Sequence, residues 1–247
     1  MTNLKKLGLT ALAGSLVTTA GYAGALDVSG AAKVSYTSGD ETEVSGNPFS
    51  MTRDIAFTGS GEMDNGMTIS YDQLLSAGAF SSSGLALDMG DAGTLSFRNG
   101  GSGGHGIGAY EDKMPNAAEQ VWDDLDGQAN GVLTKAAVNK IGYGTSFAGA
   151  NVSVDYNKQQ DGGSGKSIAV DMSPMDGVML FVAQSDEYAG TNASTDQVTF
   201  GGTYTSGAVT AGIQMTSIDK AAVNTDQDRT HIAASFAVNE DLSVSWG

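Results

Sequence analysis

Downstream of its N-terminal stretch, the chain alternates non-polar and polar residues almost without interruption. Leu26, Val28, Gly30, Ala32, Val34 and Tyr36 are non-polar, whereas Asp27, Ser29, Lys33, Ser35 and Thr37 between them are polar. A period of two is that of a β-strand whose two faces meet different surroundings. The same pattern recurs in Ile55-Phe57-Gly59, Met67-Ile69-Tyr71, Leu85-Leu87-Met89, Leu95-Phe97, Ile141-Tyr143, Val152-Val154-Tyr156, Ile168-Val170-Met172, Val178-Leu180-Val182, Val198-Phe200-Tyr204, Val209-Ala211-Ile213-Met215, Ile232-Ala234-Phe236 and Leu242-Val244-Trp246, so thirteen strands are expected. Only Val178 to Val182 is apolar at every position, which leaves its facing undetermined by pattern.

The connections alternate as well. Short ones carry turn chemistry at Met63-Asp64-Asn65-Gly66, Gly90-Asp91-Ala92-Gly93, Ala148-Gly149-Ala150, Pro174-Met175-Asp176-Gly177, Thr205-Ser206-Gly207 and Val238-Asn239-Glu240-Asp241. Between them, longer polar loops are expected at Ser38–Ser50, Leu74–Gly84, Asn99–Ala137, Lys158–Lys166, Ser185–Asp196 and Ser217–Asp228. Tight turns on one rim and long loops on the other are the layout of an antiparallel transmembrane β-barrel, whose apolar positions face lipid and whose polar positions face a lumen. A secreted or surface-displayed β-sandwich acting as an adhesion module is the alternative, but it has no reason to keep every second connection tight.

Composition narrows the choice. Twelve basic residues against 28 acidic ones, a formal net charge of −16, exclude a reader of nucleic-acid phosphates. The absence of cysteine excludes a disulfide framework and thiolate metal sites. Thirty-five glycines are roughly twice the usual share. Lys5 and Lys6 ahead of the apolar stretch Leu7–Ala20, with small Gly21 and Ala23, form a secretory signal peptide expected to be cut after Ala23. Residues 24–247 would then be one exported barrel domain in a bacterial cell envelope.

Gly61-Glu62-Met63-Asp64-Asn65-Gly66 followed by Met67-Thr68-Ile69-Ser70-Tyr71, and Gly90-Asp91-Ala92-Gly93-Thr94-Leu95-Ser96-Phe97 ahead of a long loop, resemble the second and fourth hairpin signatures of general diffusion porins of Gram-negative outer membranes. The resemblance extends over the chain as a whole, and it implies a sixteen-stranded barrel, a homotrimer in outer-membrane lipid and a third long loop folded inward. Thirteen strands depart from that pattern, because bacterial single-chain barrels have even numbers. A sequence lacking about three C-terminal strands, or a twelve-stranded barrel, would reconcile the count.

The loop Asn99–Ala137 is the expected seat of function, since loops of that length are usually functional or disordered. Pro115 and Asn116, with Glu119 in the capping-box position, predict a short helix carrying Val121, Trp122 and Leu125. Its charged residues Glu111, Asp112, Lys113, Glu119, Asp123, Asp124 and Asp126 are the expected constriction, predominantly acidic and therefore cation-attracting. The facing basic wall is assigned to Lys33, Arg53, Arg98, Lys140 and Arg229, with Arg98 and Lys140 flanking the loop. In the porins it resembles, such a wall creates a transverse field. The plainer alternative makes Arg98 and Lys140 rim charges bonded to loop carbonyls.

No enzyme motif survives inspection. Gly100-Gly101-Ser102-Gly103-Gly104 lacks the strand, helix and histidine of a nucleophile elbow. Gly101–Gly106 lacks the βαβ unit of a dinucleotide site, and Gly165-Lys166-Ser167 the first glycine of a P-loop. His105 and His231 are far apart, leaving a barrel lipase or protease with His231 alone as a candidate. Asp123, Asp124 and Asp126, or Asn224, Asp226 and Asp228, would offer calcium some oxygens, but neither set has the EF-hand glycine, and solvated acidic loops are the simpler reading. A passive channel for small hydrophilic solutes and ions, without a cofactor, is the function these features point to.

Overall fold

The structure, a computed structural model, describes residues 25–36, 49–100, 104–111, 113–117, 131–132, 139–158, 163–189, 193–221 and 226–247. The segments that alternate are the segments that pair. They form β1 (Ala25–Tyr36), β2 (Phe49–Glu62), β3 (Thr68–Ser76), β4 (Ala79–Asp88), β5 (Thr94–Asn99), β6 (Lys140–Phe147), β7 (Ala150–Lys158), β8 (Ser164–Met172), β9 (Val178–Ala189), β10 (Ala193–Ser206), β11 (Val209–Lys220), β12 (Gln227–Ala237) and β13 (Ser243–Trp246). All thirteen lie in one sheet in chain order, each antiparallel to its neighbours. A sandwich needs two stacked sheets, so that alternative is set aside. The predicted leader, residues 1–23, lies outside the described residues.

Tight turns stand where the sequence places them, and most of the opposite connections are shorter than expected. Leu74–Gly84, read as a long loop, is instead a hairpin in which β3 and β4 continue to a two-residue turn at Ala77-Gly78, with φ of 51° and 86°. The register shifts between Leu74 and Leu75. One extra residue flips the parity of everything beyond it, which erased the alternation that would have betrayed the strands. Similarly, β9 and β10 run through much of Ser185–Asp196. There both faces carry polar residues while the backbone ladder persists.

The distribution of side chains is inverted relative to a water-soluble protein. Ile213 is 45% exposed while its neighbour Gln214 is 0% exposed, and the same reversal separates Phe200 at 52% from Thr199 at 0%. Val28, Ile55, Leu85, Phe97, Ile141, Ile168, Val182 and Ile232 all lie on the exposed outer face. The opposite face carries Asp155, Asn157, Ser167, Ser185, Gln197, Thr199, Gln214, Thr216 and His231, all buried. A continuous apolar exterior of this extent is stable only against a non-aqueous medium. Inside, the principal apolar core is a cluster where the loop after β5 meets the inner wall, joining Ile107, Tyr110, Met114 and Val132 to Ala169, Phe181, Ala183 and Ala233.

Candidate pore and its constriction

The described residues of the loop between β5 and β6 meet the inner wall at three stations. At the first, His105 lies over Gly142 and Gly144 of β6, where a Cβ on either glycine would collide with the imidazole. Its Nδ1 is 2.7 Å from Ser96 Oγ of β5. Two glycines at adjacent inner positions of one strand thus make the floor on which the loop enters. Next, the backbone N–H groups of Gly106 and Ile107 donate to Ser153 Oγ and Ser167 Oγ, each at 3.0 Å, from β7 and β8. Ser167 in turn donates to Asp155 Oδ1 at 2.6 Å.

The second station is apolar. A single 3-10 turn, Ile107–Tyr110, sets the Tyr110 ring against Phe181 of β9, with centroids 4.8 Å apart and planes 22° from parallel. Lys113 Nζ stands 5.5 Å from the centroid of the same ring. The Tyr110 hydroxyl donates to Asp171 Oδ2 at 2.6 Å, and Asn151 Nδ2 donates to Asp171 Oδ1 at 2.8 Å. Burial, together with the bond to Asp171, raises the Tyr110 phenol well above its ordinary pKa, so it remains a donor. Register places Leu180 and Val182 outward, paired with Met172 and Val170. Met179, Phe181 and Ala183 therefore face the lumen, and their apolar character, unexplained by alternation, is accounted for by the docked loop.

At the third station the loop meets β11. Gln214 Nε2 donates to the Tyr110 carbonyl at 2.9 Å, and Thr216 Oγ1 donates to the Gly131 carbonyl. Gly131 N–H donates to the Glu111 carbonyl at 3.0 Å, so the two sides of the loop are joined there. Met114 and Pro115 pack over Gly212, where a Cβ would press on both.

The charges are arranged otherwise than the sequence suggested. Arg98 reaches across β4 to grip Asp72 of β3 with both terminal nitrogens, at 3.3 and 3.2 Å, over Gly84, which leaves the space. Lys140 is paired with Asp155 at 3.1 Å, both side chains buried. Neither cation is a bare member of a basic wall, since each has a carboxylate partner. Register places Arg98 opposite Lys140, and two adjacent cations need counter-charges: Asp155 on the next strand takes up Lys140, and Asp72, two strands away, takes up Arg98. Arg53 pairs with Ala32 on the face of Ile55 and Phe57, the outer side, since its odd position in β2 shares their parity. Lys33 is exposed on the inner side, and Arg229 donates to Gln227 Oε1 at 2.6 Å.

Among the acidic candidates, Glu111 is buried at the joined neck of the loop. Asp112, Glu119, Asp123, Asp124 and Asp126 lie outside the described residues, as does the helix expected from Asn116, beyond Ala117. The proposed calcium ligands Asp123, Asp124 and Asp126 go with them. Among the described residues, no group of three or more histidines and carboxylates stands where it would hold a metal ion. A cavity of about 710 Å³ opens below the loop toward the tight-turn rim, lined by Asp91, Thr94, His105, Tyr110, Thr145, Asn151, Ser153 and Asp171 among others. Among the described residues its lining carries carboxylates and no Lys or Arg. His105 remains neutral there, because burial first, and then Lys140 and Arg98, pull its pKa below the ordinary 6.5 against the opposing effect of Asp155.

Sequence reasoning passed over Tyr110, Gln214 and Thr216, and it gave His105 and Asp171 no part in holding the loop. Two signals would have found their surroundings: inner-face glycines at 142, 144 and 212, and inner-face apolar residues at 179, 181 and 183. Both mark wall that accepts another part of the chain.

Comparison with solved structures agrees with this geometry. Three structures of variant forms of the porin of Rhodopseudomonas blastica superpose with TM-scores of 0.52, 0.51 and 0.53. Their sequence identities are 16%, 17% and 16%, and the alignments cover 90%, 90% and 89% of this chain and 92% of each of those chains. No family model and no curated protein matches the sequence. The likeness is one of fold: the chain has the all-β antiparallel barrel fold of a Gram-negative porin.

Proposed function

We propose that this porin-fold chain is an outer-membrane channel that lets small hydrophilic solutes and ions diffuse passively, without a chemical step. One observation carries the proposal: the apolar residues form the outside of the sheet, and the polar residues form an inner wall crossed by a docked loop. Such an interior is wet, and its width and charge decide what passes. The fold likeness supports placement in the outer membrane of a Gram-negative bacterium, after removal of residues 1–23. By the same resemblance it acts as a homotrimer.

Preference for cations is the second part of the proposal. Asp27, Asp54, Asp72, Asp88, Asp155 and Asp171 lie on the inner face, against Lys33, Arg98, Lys140 and Arg229, and Arg98 and Lys140 are held by Asp72 and Asp155. The excess of acids over bases on this wall and an acidic loop raise the local cation concentration. The test is recording in a planar lipid bilayer with a KCl gradient. Stepwise openings with a zero-current potential of the sign set by K⁺ are expected. A chloride-signed potential would refute the selectivity, and a refolded chain that gives no steps would refute the channel.

A further inference from the structure

We infer that Gln214 and Thr216 of β11 are the positioning residues of the constriction, setting how far the loop stands into the lumen and hence the size limit of the pore. The inference rests on the channel reading and adds the residues that determine its cross-section. The apolar contacts of Tyr110 and Met114 hold the loop to the wall but are non-directional, so they tolerate sliding. Position along the wall needs directional bonds: Ser153 and Ser167 hold the loop's entry and Asp171 holds the Tyr110 hydroxyl, while the bonds to β11, side chain to backbone, are those that fix the main chain on both sides of its neck.

The geometry is specific. Gln214 and Thr216 stand two residues apart on one inner face, about 7 Å along the strand. One catches the carbonyl of Tyr110 and the other that of Gly131, while Gly131 N–H closes onto the Glu111 carbonyl. Thus both sides of the loop's neck are tied to each other and to the same strand. Thr199 of β10 backs the pair, accepting from Gln214 Nε2 at 3.0 Å and lying 2.7 Å from Thr216 Oγ1. Gln214 and Thr216 are 0% and 2% exposed. Gly131 completes the fit, since a Cβ there would collide with the Gln214 amide.

The test compares full-length parent, Thr216→Val, Thr216→Ser, Gln214→Leu and Gly131→Ala, each refolded and checked for an intact barrel by heat-modifiable electrophoretic migration. Single-channel conductance in KCl and liposome swelling with neutral sugars of rising size are the readouts. Thr216→Val, Gln214→Leu and Gly131→Ala are expected to raise conductance about 1.5-fold or more and to admit sugars that the parent excludes, because pore dimensions govern both. Thr216→Ser keeps the hydroxyl and is expected to behave as the parent does. Parent-like conductance and size limit in the folded valine and alanine variants would overturn the inference while leaving the channel reading intact. If one of these variants fails to fold, the other decides. Absence of channels in the folded parent would overturn both.

Discussion

His105 illustrates how a single side chain can couple the loop to its surroundings. Its ring is neutral at pH 7, wedged over two glycines and bonded to Ser96. The sign of its pH dependence follows from its lowered pKa. A proton on the ring is disfavoured when the loop is docked, by burial and then by Lys140 and Arg98. The contribution of His105 to docking is therefore fully present above the ordinary imidazole value of 6.5 and is lost as pH falls through it toward the lowered value. Current noise from an undocking loop should grow between pH 7 and pH 5 in the parent, and His105→Gln should abolish that change. Equal pH dependence in the two proteins would contradict the assignment. The buried Lys140–Asp155 pair behaves differently. Asp155→Asn leaves an ammonium without its carboxylate and is expected to cost about 3–5 kcal/mol, read from urea unfolding in lipid vesicles.

Among the strands, β9 carries the clearest lesson. Its apolar residues on both faces left its orientation open in the sequence, yet each face has its own reason: Leu180 and Val182 point outward, and Phe181 stacks on Tyr110. Phe181→Ala should weaken loop docking by about 3 kcal/mol, the usual cost of deleting a packed phenylalanine. Faster proteolysis of the loop in an otherwise intact barrel would register it. Phe200→Ala, on the outer face of the adjacent strand, should leave loop proteolysis unchanged. The strands were legible because period-two alternation is a direct consequence of unlike faces. The β3–β4 hairpin was hidden because one bulge residue changed the parity, and the pairing of Arg98 with Asp72 was hidden because it spans an intervening strand at a glycine. Contacts between distant strands leave no local trace, which is also why the β11 latch was not foreseen.

For the whole molecule, the strand order follows the chain order, so each strand pairs with its neighbours in the chain and the inner wall is a continuous surface. The loop covers β6 to β12, where inner-face residues such as Asn157, Ser185, Gln197 and Thr216 are buried. Inner-face Asp27, Thr58 and Ser60 on β1 and β2 are exposed by comparison, which leaves that side as the wetter wall. An excess of acid over base was legible in composition, whereas the neutralisation of Arg98 and Lys140 was not. The most direct measurement is therefore one of faces. The chain has no cysteine, so single cysteines introduced along β2 can be read without background. In reconstituted vesicles, Ala56→Cys and Thr58→Cys should react with a charged thiol reagent, while Ile55→Cys and Phe57→Cys should be protected from it and accessible to a lipid-phase quencher. Reaction at 55 and 57 with protection at 56 and 58, or equal reaction at all four, would contradict a barrel with an apolar exterior and a wet lumen.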